Sequence, residues 1–535
     1  MTTVLDRPAP VAPRPARDRR RWGWALGAVA LVGWALVDSG LLSGAVVNPG
    51  GAAQLGRFAS AALRPELAPE FLAVVAQSTL VTVAYAVLGA GLAVLLGALG
   101  AVAVARTAWG RRRAGWLVAR GLLALPRGLH EAVWGLLLLN VLGLDPWVGV
   151  LAIAIPYGAV TATVFAGILD EVPRGGHDAL LAAGAGRVTA VLYGLLPLAS
   201  GGLLSYAFYR LECAVRSAVV LGLVGAGGLG FQLSLSFTSL RWEQVWTTVY
   251  ALAALCLAAD LAGRAVRRRV ADPRPRTRRD PLLTGAVLAV VALTAWAAWF
   301  LALSPAALVS SRAREQLAYV LSAAWPPATG GAFLADVLGA AVDTLLMSVL
   351  AVAFATAGAV ALAGLAARPR SASLPRRAAG ALVRTALLLL RAVPPPVWAL
   401  VLLFVLLPGV LPGALALGVY TLGVLGRLVG EAVEEADRRP REALRAAGAS
   451  PVGAWLYGTV PGLAGPVLAL AFYRWEVAIR DTVLVGLLGA GGIGVLLSAA
   501  TSSFDWPAVT TVLAATVVLS LCVDLAGERA RAALR

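Results

Sequence analysis

Lysine is absent from this chain of 535 residues, so all 45 of its basic side chains are arginine. Charged residues make up only 14% of the sequence, roughly half the share of a typical soluble protein. A P-loop needs a lysine to reach the phosphates of its nucleotide, so the chain has no P-loop of its own. The scarcity of charge excludes soluble enzymes and disordered regulators.

Cysteine and histidine are also scarce. The three cysteines (Cys213, Cys256 and Cys522) lie far apart in apolar segments, which fits neither a disulfide framework nor a metal site. We interpret them as small buried hydrophobic residues. Of the two histidines, His130 lies near the cytoplasmic start of a predicted span, and His177 is expected at the surface rather than in a catalytic site. We predict no catalytic residues and no metal ligands.

Hydrophobic residues, in contrast, make up 59% of the chain, and its mean hydropathy is +0.82. A transmembrane helix needs about 20 apolar residues, so a dozen helices would use roughly 240 residues. The sequence therefore predicts an all-α polytopic membrane protein with about twelve transmembrane helices. The predicted spans are 22–42, 71–106, 115–143, 147–169, 198–232, 243–263, 281–303, 336–367, 380–407, 411–430, 462–495 and 506–527.

The net charge of +17 is explained by the orientation of these spans. Arginines concentrate in the tail 1–22, the run Arg111–Arg113, the linker 264–280 and the segment 368–377, which all fall on one side of the predicted membrane. Because arginine-rich loops face the cytoplasm, both termini are expected there, and nucleic-acid binding is not. The first apolar run is too long for a signal peptide, so we expect a retained helix in a bacterial cytoplasmic (inner) membrane.

The chain contains an internal repeat. Residues 170–263 align without gaps on residues 434–527, a shift of 264 positions. The first copy carries AFYRLECAVRSAVVLGLVGAGGLG and the second carries AFYRWEVAIRDTVLVGLLGAGGIG. An even number of helices in each half gives the copies the same orientation, which makes them parallel repeats. We therefore predict two six-helix units, residues 23–263 and 281–535, joined by the linker 264–280.

Each half has a cytoplasmic loop between its fourth and fifth predicted spans, at about 170–197 and about 434–461. The pattern predicts a short helix, a glycine that turns the chain, a second short helix and a proline that re-enters the membrane. This spacing resembles the EAA loop of ABC-importer permeases. The resemblance implies type I permease architecture and a coupling helix that docks onto an ATPase. The matched residues are Glu171, Asp178, Ala179, Gly184 and Pro197, and then Glu435, Glu442, Ala443, Gly448 and Pro461.

The segment after each loop is similar to the permease of phosphonate importers, which carries Tyr-Arg-x-Glu-x-x-x-Arg ahead of a glycine run. The second copy departs by having Asp481 where the first has Ser217. The resemblance implies phosphonate, phosphate or phosphite as substrate. It also implies a homodimeric cytoplasmic ATPase that uses ATP and Mg, a periplasmic or lipid-anchored binding protein, and no cofactor bound by this chain.

The charged run of each half lies at membrane depth. Arg210 is 13 residues past Pro197, which is roughly 20 Å along a helix. Glu212 and Arg216 have the i, i+4 spacing of an ion pair, which leaves Arg210 as a surplus positive charge. The second half repeats the arrangement at Arg474, Glu476 and Arg480. Two interpretations stay open: an internal ion-pair cluster, or a translocation path whose surplus arginines attract an oxyanion.

The glycine runs contain Gly227 and Gly491 and match the letters of a dinucleotide fingerprint, but that motif requires a preceding strand. In an apolar segment the glycines either break the helix where a backbone or a substrate approaches, or allow close helix packing. We assign both residues to the translocation path.

Two other functions stay open at this point. Methionine and related importer permeases share the loop and a similar glycine run, so the substrate could be another small solute. A twelve-helix secondary transporter driven by an ion gradient is the second alternative. It gives no reason for paired loops of this kind.

Overall fold

The computed structural model describes residues 19–41, 46–106, 113–271, 280–368 and 373–534. Within these ranges the regular structure is helical apart from one isolated bridge between two residues, which confirms the predicted all-α class. Most of the predicted tail, the centre of the linker, Arg111 and Arg112, and residues 369–372 lie outside the described residues.

The helices of the first half follow in chain order. They are α1 (Arg19–Asp38), α2 (Gly51–Ala61), α3 (Pro69–Val104), α4 (Arg113–Gly128), α5 (Glu131–Leu142), α6 (Trp147–Glu171), α7 (Gly175–Ala182), α8 (Arg187–Ala190), α9 (Leu196–Leu221), α10 (Gly228–Thr238) and α11 (Trp242–Ala271). One π-helical turn, Val191–Leu195, joins α8 to α9, and a second, Gly222–Ala226, follows α9.

The second half continues the numbering. Its helices are α12 (Pro281–Phe300), α13 (Pro305–Leu308), α14 (Ser311–Ala323), α15 (Gly331–Ala366), α16 (Leu374–Ala392), α17 (Pro395–Val405), α18 (Val410–Glu435), α19 (Arg439–Ala446), α20 (Pro451–Gly458), α21 (Val460–Leu487), α22 (Ile493–Ser502) and α23 (Trp506–Leu534). From α4 in the first half and α16 in the second, the first residues of most matching helices are 264 positions apart to within three residues.

The number of spans is close to the prediction, but two of them are not straight. Within the described residues, nine helices are long and apolar enough to cross a membrane, or up to eleven if each bent pair is one span. The predicted spans 115–143 and 380–407 are bent by 83° and 94°. In the second half the prolines 394–396 explain the bend, because proline cannot donate the helical hydrogen bond. The predicted span 22–42 falls on α1, but the apolar part of this helix, Leu26–Asp38, is too short to be among those nine to eleven spans.

The glycine runs interrupt the predicted spans 198–232 and 462–495, which are therefore not continuous helices. Gly225 and Gly227 have φ angles of 112° and 91°, in the left-handed region that favours glycine. Gly230 also packs closely, because a Cβ there would lie 1.8 Å from the carbonyl oxygen of Val219. Both explanations that the sequence left open, helix break and close packing, are thus correct.

Each half inserts its bent helix into the other half. Val133 of α5 belongs to one buried cluster with Leu497 and Val509 of the second half. Val397 of α17 belongs to a cluster with Val245 of the first half. Because each half buries apolar side chains of the other, the two halves form one body around a shared interface.

Candidate functional site

The two cytoplasmic loops have the predicted order of elements. Helices α7 and α19 each end in a glycine with positive φ, +85° at Gly184 and +86° at Gly448. The amide of Ala185 donates to the carbonyl of Leu180, and the equivalent bond closes the second loop. This is a Schellman motif, which stops the helix and turns the chain toward the next one.

A glycine that the sequence reading missed brings each loop together. A Cβ at Gly194 would lie 2.8 Å from the Cα of His177, and one at Gly458 would lie 2.7 Å from the Cα of Arg441. Only glycine permits this contact between the first short helix and the segment after the turn. The contact buries His177, which corrects the expectation that this side chain lies at the surface.

The candidate coupling residues keep their outer faces free. Asp178, Ala179, Glu442 and Ala443 are exposed, and the Asp178 carboxylate contacts Nδ1 of His177 at 3.0 Å. Glu171 and Glu435 are the last residues of α6 and α18. Pro197 and Pro461 are the second residues of α9 and α21. The two loops thus present matching exposed helices at one end of the bundle.

A cavity of about 510 Å³ lies between the two halves. All six charged residues that the sequence assigns to the translocation path line it: Arg210, Glu212, Arg216, Arg474, Glu476 and Arg480. Gly227 and Gly491 are not among its lining residues. Both have positive φ angles and lie in the bends that follow α9 and α21. Within the described residues, no group of three or more potential ligands is placed to hold a metal ion.

The glutamate of each half contacts an arginine that sequence reasoning missed. Glu212 contacts Arg216 at 3.3 Å, as predicted, and also Arg267 at 3.1 Å. Glu476 contacts Arg531 at 2.5 Å, which repeats the Glu212–Arg267 pair. An arginine near the end of the following helix, four residues past a glycine, was the available signal.

The predicted ion pair between Glu476 and Arg480 is wrong. Among the described residues, Arg480 bonds instead to two backbone carbonyls, that of Glu476 at 3.1 Å and that of Arg127 at 2.8 Å. The physical reason is a contact across the interface, because the Arg127 carbonyl binds the Arg480 guanidinium away from the Glu476 carboxylate. Arg480 therefore bridges to the first half.

The two surplus arginines are held by aromatic rings rather than by carboxylates. The Arg210 guanidinium lies 4.7 Å from the ring centroid of Tyr157 and donates to the Tyr206 hydroxyl. Arg474 lies 5.8 Å from the ring centroid of Tyr420 and is 7% exposed. Its Nε and Nη2 atoms have no hydrogen-bond partner within the described residues. A buried guanidinium with free donors is costly unless a ligand uses them.

A third group of cavity residues joins the halves through His130. Its Nδ1 accepts the amide hydrogen of Ala132, so Nε2 carries the ring proton. Nε2 lies 3.5 Å from a carboxylate oxygen of Glu131 and 3.5 Å from one of Asp481. Glu131 also accepts from Ser217 at 2.5 Å. Asp481 is left with most of its acceptor capacity unused.

Both halves of the chain match one family of known membrane proteins. The family of the binding-protein-dependent transport system inner membrane component matches residues 93–272 and again 359–534. The chain is 30% identical over 396 residues to the phosphate-import permease protein PhnE of Mycolicibacterium smegmatis, covering 72% of this chain and 73% of that protein.

Two further relatives are shorter. The phosphite transport system permease protein PtxC of Stutzerimonas stutzeri is 33% identical over 34% of this chain and 66% of its own length. The putative cryptic phosphonate transport system permease protein PhnE2 of Escherichia coli is 36% identical over 22% of this chain and 96% of its own length. The two family matches cover more than half of the chain. This multi-pass chain therefore belongs to the inner-membrane permease components of binding-protein-dependent ABC importers, and it carries two permease domains.

Proposed function

We propose that this chain is the translocation subunit of an ATP-driven importer for a small oxyanion of phosphorus, namely phosphate, phosphite or a phosphonate. The observation that carries the proposal is Arg474, a buried guanidinium in the cavity between the halves, two of whose donor atoms have no hydrogen-bond partner among the residues that the structure describes. Arginine's fork of donors matches the geometry of such an anion. The names of the relatives support the same substrate class.

The carboxylate of Asp481 restricts the class of substrate further. A carboxylate only accepts hydrogen bonds, so it favours a ligand that brings its own donor and disfavours a fully ionised anion. Oxyanions of phosphorus retain or exchange a proton near neutral pH, since the second pKa of a phosphate group is about 6. Sulfate carries no proton near neutral pH. The combination of Arg474 and Asp481 therefore suits a phosphorus oxyanion with a P–OH group.

The mechanism follows from two parallel halves. A periplasmic or lipid-anchored binding protein delivers the anion, and a homodimeric cytoplasmic ATPase, which consumes ATP with Mg, docks on α7 and α19. Closure of the ATPase dimer moves the two loops and rocks the halves between outward and inward access. This arrangement requires both termini, the tail 1–22 and the linker 264–280 in the cytoplasm, with repeats at 23–263 and 281–535.

Proteoliposomes containing the chain with its ATPase and binding protein test the proposal. We expect Arg474→Gln to reduce phosphate or phosphonate uptake at least tenfold, while the ATPase still co-purifies. The control is Arg314→Gln, an exposed arginine of α14 outside the cavity. Wild-type uptake by the Arg474 variant would contradict the proposal. Uptake without any ATPase would favour the secondary transporter.

A second variant tests the substrate class. Asp481→Asn replaces an acceptor-only group with one that also donates, so we expect sulfate to compete with phosphate for the purified complex more strongly than in the wild type. If competition by sulfate is unchanged while the Arg474 variant has lost uptake, the oxyanion path is still supported. Asp481 then has no role in selecting the anion.

A further inference from the structure

A second, smaller cavity of about 340 Å³ lies where α11 of the first half meets α15, α16 and α18 of the second. Glu434, near the end of α18, and Ala366, the last residue of α15, line it, so it opens near the segment that leads into the coupling helix α19. Six arginines line this cavity: Arg264, Arg268, Arg368, Arg384, Arg391 and Arg427. Two glutamates, Glu431 and Glu434, oppose them.

The arginines are incompletely neutralised. Asp260 serves three of them at once, with contacts of 3.0 Å to Arg264 and to Arg391 and 3.3 Å to Arg427. The side chains of Arg268 and Arg368 make no hydrogen bond or ion pair within the described residues. The group of six arginines with Asp260, Glu431 and Glu434 therefore retains a surplus of positive charge.

The repeat supplies an internal comparison, because duplication alone would have copied this cavity into both halves. Three of its arginines have non-basic equivalents in the other copy: Glu528, Ala532 and Thr163 stand 264 positions from Arg264, Arg268 and Arg427. The surplus of positive charge is thus concentrated in one of the two equivalent places in the molecule.

The space is asymmetric as well. In the first half, Arg106 and Arg120 stack on Trp116, at 5.3 Å and 4.8 Å from its ring centroid. The position equivalent to Trp116 in the second half is Gly380, and the guanidinium groups of Arg376 and Arg384 lie 2.9 Å and 3.0 Å from where its Cβ would be. One half therefore places an indole ring beside its arginines, while the other has further arginines in the equivalent place, and one of them, Arg384, lines the second cavity.

We propose that this second cavity binds a phosphate group, carried either by the head group of an anionic phospholipid or by free phosphate. Basic pockets between transmembrane helices on the cytoplasmic side are suited to phosphate-bearing head groups. The guanidinium fork makes paired, charge-assisted hydrogen bonds to phosphate oxygens. The second cavity shares Arg391 and Arg427 with the central cavity, so the test uses Arg268 and Arg368, which line the second cavity and not the central one.

The test uses the full chain purified in detergent and three probes: dioctanoyl phosphatidylglycerol, dioctanoyl phosphatidylcholine and inorganic phosphate. Binding is measured as the shift of the unfolding temperature and by native mass spectrometry. We expect phosphatidylglycerol or phosphate to stabilise the wild type, phosphatidylcholine to have no effect, and Arg268→Gln/Arg368→Gln to weaken the binding about tenfold. Since neither side chain has a partner within the described part of the chain, this variant should fold normally.

The matched control is Arg312→Gln/Arg314→Gln, which removes the same charge from exposed positions of α14. Stabilisation by the lipid alone would identify a head group as the ligand, and stabilisation by phosphate alone would identify the free ion. Equal stabilisation of the wild type and the Arg268/Arg368 variant by both probes would overturn the proposal, as would no response of the wild type to either.

Discussion

Arg391 of the second half donates to Asp260 of the first half across 3.0 Å. The shift of 264 residues maps this pair onto Arg127 and Asp524, which lie 3.7 Å apart and also join the two halves. The bent helices thus exchange ion pairs as well as apolar contacts. Because both pairs cross the same interface, any motion of one half against the other must accommodate them.

The two pairs differ in strength. The Asp260 side chain is 3% exposed and contacts three arginines, whereas Asp524 is 21% exposed with one contact. Removing one partner of a buried ion pair costs about 3–5 kcal/mol, but an exposed pair is worth about 0–1 kcal/mol. We expect Asp260→Asn to lower the unfolding temperature of the purified chain far more than Asp524→Asn. Equal losses would show that burial does not set the strength of these pairs.

Gly230 should tolerate no side chain, because an added Cβ would meet the backbone of Val219. We expect Gly230→Ala to destabilise the chain by about 3 kcal/mol or more, since a backbone atom cannot move aside as a side chain can. Gly465→Ala is the control, because nothing lies within 4 Å of a Cβ at that helical position. Thermal unfolding in detergent measures both, and similar behaviour of the two variants would contradict the glycine bend.

Gly448 should matter for its conformation alone. Nothing lies within 4 Å of a Cβ at this position, but its φ is +86°. A non-glycine residue in this region costs about 1–2 kcal/mol, and asparagine less. We expect Gly448→Val to reduce co-purification of the ATPase several-fold and Gly448→Asn to retain most of it. Loss in both variants would point to a contact with the ATPase rather than to the turn.

Cys213 lines the central cavity, whereas Cys256 and Cys522 do not. In a Cys256→Ala/Cys522→Ala chain, a charged, water-soluble thiol reagent should therefore react with Cys213, and millimolar phosphate should slow the reaction by occupying the cavity. Mass spectrometry of the labelled chain measures the rate. Protection by chloride at the same ionic strength would show a salt effect instead of occupancy.

Local patterns in the sequence predicted much of the fold. Gly184 and Gly448 mark the turn of each loop because a left-handed residue is required there by the helix end itself. The pair Glu212–Arg216 forms because its spacing places both side chains on one helix face. The equivalent Glu476–Arg480 pair does not form, since the Arg480 guanidinium donates instead to the Arg127 carbonyl of the other half.

The sequence by itself determined the helical class, the repeat, the two loops and the charged run at membrane depth. Each of these depends on spacing along one chain segment. The tertiary structure decided which basic side chain meets which carboxylate, as in the contacts of Arg391 with Asp260 and of His130 with Asp481. It also decided the bends of 83° and 94° that carry each half into the other. These contacts join residues over a hundred positions apart, so no local pattern specifies them; packing of the two halves does.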